Sequence, residues 1–245
     1  MPEGPSIVIL KEAVAKFKGK KILEAGGTTK EPIPELAGKT VIDFKSWGKH
    51  FLICFKGFAI RIHFLLFGTY RIDEQKEAKP RLFLRFGNGE LNFYTCSIKL
   101  ITEDLDEVYD WTADVMNEQW DPAKAKKKLK AQPDLLACDA LMDQQLFSGV
   151  GNIIKNEVLF RIKVHPLSRI GALPAAKLNA LIKQAVVYSF EFLAWKKAFE
   201  LKKHWLAYNQ KTCPRDQVPF KRKNLGKGQR RTFYCEVCQE KWGDE

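Results

Sequence analysis

The second residue of this chain is a proline and the third a glutamate, in the opening MPEGPSIVIL. Initiator methionine is commonly removed before a small residue, and its loss would expose the secondary amine of Pro2. An N-terminal amine titrates near about 8, well below a lysine, so a sizeable fraction is neutral and nucleophilic at neutral pH. Such an amine can attack an aldehyde-like sugar carbon and form an iminium while the Glu3 carboxyl moves a proton. The plainer alternative is that Pro2 merely permits methionine removal and Glu3 sits on the surface. In SWGKHFLICF, Gly48 reads as a turn and Lys49 as the opening of a strand. There an ammonium could donate a proton or hold a phosphate, or simply blunt a sheet edge. RIHFLLFGTY sets Leu65, Leu66 and Phe67 on a turn before Gly68. Three large apolar residues there belong either to the core or to a wedge that enters a base stack.

Two further runs carry chemistry. In LMDQQLFSGVGNIIKNEVLF a helix is expected to end at Ser148-Gly149, with Asn152 capping a second helix that begins at Ile153. A helix N-terminus reached through Gly-x-Gly-Asn offers backbone N–H groups and an amide to a phosphate, although an ordinary capped helix hairpin reads the same way. Near the C-terminus, Cys235-x-x-Cys238 follows a β-type Thr-Phe-Tyr run and forms half of a zinc ribbon. Cys213 supplies the other half, with Asp216 standing where a fourth cysteine is expected. Carboxylates ligate zinc, so a site of Cys213, Asp216, Cys235 and Cys238 is expected to hold one structural Zn2+, with His204 as a less well placed substitute for Asp216. A metal-free hairpin with leftover thiols is the alternative. Between the half-sites, KRKNLGKGQRR reads as a basic hairpin tip suited to phosphates.

The elements that must position these groups follow from periodicity. Apolar residues at Ile7, Leu10, Val14 and Phe17 predict a helix over 7–18 that stops at Gly19. From about 20 to 101 the chain is a series of short β-branched or aromatic runs, separated by Gly48, Gly57, Gly68 and an Asn88-Gly89 hairpin signal, which predicts an antiparallel sandwich. After the acidic stretch 103–110 the texture turns helical. DPAKAKKKLKAQ starts with a capping Asp121 and Pro122, and its lysine run reads as a solvated face. The reading is an α+β multidomain chain: a β-sandwich with a flanking helix over 1–115, a helical domain over 116–203, and a zinc-ribbon-like β-hairpin over 204–245.

Charge narrows the partner. Lys and Arg outnumber Asp and Glu by 41 to 29, a net +12 and a pI near 9.4, which favours a polyanion such as nucleic acid. At 45% hydrophobic residues the 245-residue chain can bury a real core. No run is long enough to span a membrane and the start lacks the layout of a signal peptide, so a cytoplasmic or nuclear location is expected. Cys54, Cys96 and Cys138 occur singly in apolar surroundings and read as buried thiols.

Taken together, the MPEGP start, the Gly-Lys at 48–49, the D-Q-x-x-x-x-G-x-G-N-x-x-x-N-E run and the terminal R-x-T-F-Y-C-x-x-C-Q resemble the formamidopyrimidine-DNA glycosylase and endonuclease VIII family of bifunctional base-excision enzymes. The resemblance covers nearly the whole chain. It implies that Pro2 is the Schiff-base nucleophile at deoxyribose C1′, that Glu3 is the acid assisting ring opening, and that Lys49 is a proton donor and phosphate contact in β-elimination. It implies a helix-two-turn-helix domain whose Asn152 grips the backbone near the lesion. Arg230 then matches the hairpin arginine associated with phosphate binding and δ-elimination. The expected partner is damaged DNA, bound by a monomer. PEGP and HFLLFG look like the endonuclease VIII branch, which makes Leu65, Leu66 and Phe67 the void-filling residues and oxidised pyrimidines the expected substrates. Ser6 replaces a glutamate common in the family, Leu65 a glutamine of that branch, and Asp216 a cysteine. These departures leave room for a damage-binding protein of weak turnover. An enzyme specific for 8-oxoguanine and formamidopyrimidine, or a basic zinc-ribbon protein bound to RNA, also remains open.

Overall fold

A computed structural model describes residues 2–243, which divide into two compact units, one ending at Asp110 and the other beginning at Trp111. In the first unit, helix α1 (Gly4–Ala13) precedes eight strands: β1 (Ile22–Gly26), β2 (Asp43–Trp47), β3 (His50–Phe55), β4 (Phe58–His63), β5 (Thr69–Ile72), β6 (Leu82–Phe86), β7 (Gly89–Tyr94) and β8 (Ser97–Ile101). The strands form two antiparallel four-stranded sheets of order β1-β6-β7-β5 and β2-β3-β4-β8. Alternation explains the sandwich: β6 buries Leu82, Leu84 and Phe86 and turns Phe83 and Arg85 outward. These side chains join Phe44, Phe51, Ile53, Ile60, Ile62, Leu91 and Phe93 in one core, each burial contributing about 1.5–3 kcal/mol. Helix α1 adds Ile7 and Leu10, and Phe17 beyond its end stacks on Phe86 with centroids 4.5 Å apart. A short acidic helix, α2 (Leu105–Val108), closes the unit, with Asp104 accepting from the Asp106 N–H.

Local details depart from the periodicity in four places. Helix α1 starts at Gly4, not at 7, because Pro5 is pre-organised for a first helical turn, and it gives way after Ala13 to a 3-10 turn over Ala15–Phe17. Lys49 lies in the turn itself: Trp47 pairs with His50, so Gly48 (φ 51°) and Lys49 form the hairpin connection and β3 begins one residue later. The next hairpin signal is also displaced by one, since Phe86 pairs with Gly89 and the connecting residues are Gly87 and Asn88. Leu65, Leu66 and Phe67 are exposed by 51%, 45% and 81%, which removes them from the core.

The second unit contains α3 (Pro122–Lys130), α4 (Ala137–Met142), α5 (Asn152–Arg161) and α6 (Ala175–Lys197), followed by the hairpin of β9 (Lys221–Leu225) and β10 (Arg230–Tyr234). The Asp121 carboxylate caps α3, accepting from the N–H groups of Ala123 and Lys124 at 2.8 and 3.0 Å. Leu129, Leu141, Phe147, Ile154, Val158, Leu181, Ala185 and Tyr188 make the core. Helix α5 is buried on every side from Asn152 to Phe160, polar residues included. Buried polar side chains must find partners, and theirs lie in the hairpin and the segment that leads to it. Among the described residues no helix is long and apolar enough to cross a membrane.

Candidate nucleic-acid and metal sites

In the first unit, Glu3 precedes α1 and is fully buried, with its carbonyl accepting from the Ser6 N–H at 2.8 Å. Pro2, directly before it, is half-buried. Helix α1 packs on β2 and β3, the two strands whose connecting turn holds Lys49. Around that turn lies a cluster that the linear sequence does not reveal. His50 and His63 are cross-strand partners whose rings meet edge to face at 5.4 Å, and His50 also contacts Trp47 at 5.5 Å and Tyr109 at 5.7 Å. The Trp47 indole donates to the Asp110 carbonyl at 2.9 Å. Burial, then the charges of Arg61, His63 and Lys49, hold the His50 imidazole down at about 3, and burial with Lys49 and Arg61 lowers His63. Both rings are therefore neutral at physiological pH, beside Lys49 and Arg61. Neutral rings can accept or relay a hydrogen bond and add no repulsion against Lys49.

The triplet Leu65-Leu66-Phe67 follows β4 on a turn in which Leu65 takes a left-handed φ of 53°. Leaving three large apolar groups in water forgoes their burial energy, and residues of this type on a turn suit insertion into an apolar space such as a base stack.

In the second unit, Asn152 is not a cap. Gly151 occupies the cap position, Asn152 is the first helical residue, and its amide reaches across to donate to the Arg231 carbonyl at 2.9 Å. Its Oδ1 is buried without a hydrogen-bond partner among the described residues. One turn on, Asn156 donates to the Asn152 carbonyl at 2.7 Å and accepts from the Phe233 N–H at 2.7 Å. Between them Lys155, only 1% exposed, donates to the Thr232 hydroxyl at 2.7 Å. Glu157 accepts from the N–H groups of Leu206, Ala207 and Tyr208 at 2.7–3.1 Å. The Asn-x-x-x-Asn-Glu run is thus a clamp: helix α5 holds strand β10 through Asn152, Lys155 and Asn156 and the 206–208 segment through Glu157, and Arg230 begins that strand. Gln144 fixes the loop before the helix, accepting from Gly149 N–H and donating to the Val150 carbonyl at 3.1 Å each.

The hairpin tip docks on α4. The Lys227 N–H donates to Asp139 at 2.9 Å, and a side chain at Gly226 (φ 74°) would lie 2.2 Å from that carboxylate. Between tip and helix is a cavity of about 580 Å³ lined by Asp139, Asp143, Lys155, Lys227 and Arg230, among others. Asn152 and Arg230 therefore flank one clamp within this unit, whereas Pro2, Glu3 and Lys49 belong to the first.

Cys213, Asp216, Cys235 and Cys238 converge, their ligand atoms all within 4.8 Å of one another. The Cys213 and Cys238 sulfurs are 3.9 Å apart, and an Asp216 oxygen lies 3.3 and 3.2 Å from the sulfurs of Cys213 and Cys235. A tetrahedral ion with metal–sulfur bonds of about 2.3 Å requires sulfurs about 3.8 Å apart, so the four groups fit a metal ion. Arg215 supports the cluster, donating to the Phe160 carbonyl at 2.8 Å and lying 3.6 Å from the Cys238 sulfur. His204 takes no part: its ring is stacked flat on Trp195 at 4.2 Å.

The family model of the formamidopyrimidine-DNA glycosylase N-terminal domain matches residues 1–97, and that of the formamidopyrimidine-DNA glycosylase H2TH domain matches residues 112–191. Human endonuclease 8-like 2 is 31% identical over an alignment that takes in all of this chain and 77% of the relative. The chain belongs to the formamidopyrimidine-DNA glycosylase and endonuclease VIII family. Bovine endonuclease 8-like 2 is 34% identical over 74% of this chain, and the match spans 58% of the bovine protein. Endonuclease 8-like 3 of Xenopus laevis is 27% identical over 89% of this chain and 38% of its own length. These relatives agree with the endonuclease VIII character of the PEGP start. The fold also matches a formamidopyrimidine-DNA glycosylase of Lactococcus lactis bound to DNA containing an AP site, with a TM-score of 0.85, 22% identity, and coverage of 98% and 100% of the two chains. A viral DNA glycosylase gives the same TM-score at 20% identity, over 97% and 100% of the chains.

Proposed function

We propose that this protein is a DNA glycosylase with AP lyase activity that excises oxidised pyrimidines in base excision repair. The observation that supports this reading most directly is Glu3. A carboxylate with no exposed surface lies directly behind a proline at position 2, which sets an acid beside the amine that loss of Met1 would free. In the proposed reaction, loss of Met1 frees the Pro2 amine. The amine attacks C1′ of the damaged nucleotide, the base departs with its bonding pair, and an iminium links Pro2 to the opened sugar. Glu3 donates the proton that opens the ring. Lys49 contacts the phosphate and supplies a proton during β-elimination, and the neutral His50 and His63 add no positive charge of their own beside it. Asn152 and Arg230 bind backbone phosphates, and Arg230 assists the second elimination. Leu65, Leu66 and Phe67 fill the gap left by the extruded nucleotide, lowering the cost of flipping.

Zinc held by Cys213, Asp216, Cys235 and Cys238 would supply structure only, tying the base of the hairpin to the segment before it. The damaged-DNA partner and the monomeric state belong to the same proposal. A strand-incision panel tests it, with duplexes carrying thymine glycol, 8-oxoguanine or an abasic site. The processed protein is expected to cut the thymine glycol and abasic duplexes and to leave 8-oxoguanine largely intact. Glu3→Gln should bind abasic DNA normally and lose about a hundredfold or more in base excision. Tight binding without incision of any duplex would refute the catalytic reading.

A further inference from the structure

A groove of about 440 Å³ in the second unit lies between α3 and α6, and it shares no lining residue with the cavity at Arg230. Its walls are Trp120 and Pro122 on one side and Ile182, Val186 and Val187 on the other. Phe190, 49% exposed, continues the same face of α6 one turn further on. The two cations that line the groove are Lys126 and Lys183, and neither pairs with a carboxylate among the described residues. Helix α3 as a whole carries five lysines and no acidic residue.

We propose that this groove docks an acidic amphipathic helix from a partner protein. Apolar side chains at i, i+3 or i+4, and i+7 of such a helix would enter the strip formed by Trp120, Ile182, Val186 and Phe190, as in other helix-in-groove complexes. Flanking carboxylates would meet Lys126 and Lys183, whose stems already cover the groove edges. Charge complementarity selects the acidic partner, because a basic or neutral helix would leave both ammonium groups facing it unmatched. The apolar lining disfavours nucleic acid, whose phosphates need donors along the floor and not only at the margins.

The test uses the full chain and a synthetic amphipathic peptide of about 20 residues, beyond the length at which isolated helices are marginal, with leucines on one face and glutamates on the others. Saturable binding is expected, with hydrogen-exchange protection confined to residues 120–126 and 179–190. The affinity should fall about tenfold in Lys126→Glu/Lys183→Glu and when glutamine replaces glutamate in the peptide. Val186→Asp should weaken it through the apolar wall instead. Thermal melting and abasic-site incision, measured in parallel, should be unchanged in Lys126→Glu/Lys183→Glu, whereas Val186→Asp, whose side chain also packs against the core, should lower the melting temperature and leave incision unchanged. Absence of saturable binding, protection elsewhere, or affinity insensitive to the charge reversals would overturn the proposal. So would displacement of the peptide by undamaged duplex DNA with protection of the same segments, which would make the groove a nucleic-acid surface.

Discussion

Replacing Glu157 perturbs the clamp in α5 at its most buried charge. The carboxylate accepts from three successive backbone N–H groups, Leu206, Ala207 and Tyr208, and Ala207 itself is fully buried. In Glu157→Ala the Ala207 donor loses its acceptor where water does not reach, at a cost of about 1–3 kcal/mol, and the two outer donors add about 1 kcal/mol each. The sum, about 3–5 kcal/mol, is a large part of the 5–15 kcal/mol typical of a folded domain. Burial raises the Glu157 carboxyl above its ordinary range, against the pull of the three N–H bonds. Part of the charge is therefore held at a cost, and Glu157→Gln should lose less, about 1–2 kcal/mol, because the amide oxygen still accepts from Ala207 and Tyr208. The assay is hydrogen exchange of the segment 204–210. Glu157→Ala should exchange there about a hundredfold faster than the wild type or more, Glu157→Gln about tenfold, with the first unit unaffected. Exchange within about twofold of wild type in Glu157→Ala would show that the carboxylate does not hold the segment, and would refute the clamp.

The other expectations concern pH, metal and the exposed turn. His50 stays neutral down to about 3 when folded but titrates near 6.5 when unfolded; between those values the unfolded chain binds the extra proton. Its contribution is complete above about pH 6.5 and is lost as pH falls, at no more than about 1.4 kcal/mol per pH unit before exposure of the ring reduces it. Denaturant titrations at pH 7 and 5 should show that loss, with a flatter profile in His50→Gln. Protein purified without added metal should contain about one zinc per chain by elemental analysis. Asp216→Ala should lose zinc to a chelator faster than wild type, and Asp216→Cys more slowly. Leu66→Ala/Phe67→Ala should leave the melting temperature within about a degree or two, since both side chains are already exposed, while slowing excision from duplex DNA more than cleavage at a preformed abasic site.

Strong local signals carried far. The short β-branched and aromatic runs of β3, β4, β6 and β7, the Asp121 cap and the Cys-x-x-Cys pair are each fixed by neighbours in sequence, and the structure places them accordingly. The sandwich, helical and hairpin architecture and the family follow from them. Strand β1 shows little alternation, with only Ile22 fully buried, so a pattern search passes over it. The clamp was hidden for a different reason. Asn156 and Glu157 close the motif that carries the resemblance, but what they hold is not legible until the hairpin strand and the 206–208 segment, roughly fifty to eighty residues on, close over them. His50 and His63 become neighbours only through β3–β4 register. The turn at 65–67 could be core or wedge on composition alone, and its exposure excludes the core. Glu3, for which a plain surface position was the alternative to an acid role, is fully buried.

Borohydride trapping tests the central claim most directly. Protein confirmed by intact mass to lack Met1 is incubated with an oligonucleotide carrying an abasic site and reduced with sodium borohydride. The proposed chemistry predicts a stable covalent adduct whose proteolytic fragment begins at a modified Pro2, with adduct lost when Met1 is retained. An adduct on a lysine, or none from protein that binds the same oligonucleotide, would contradict it.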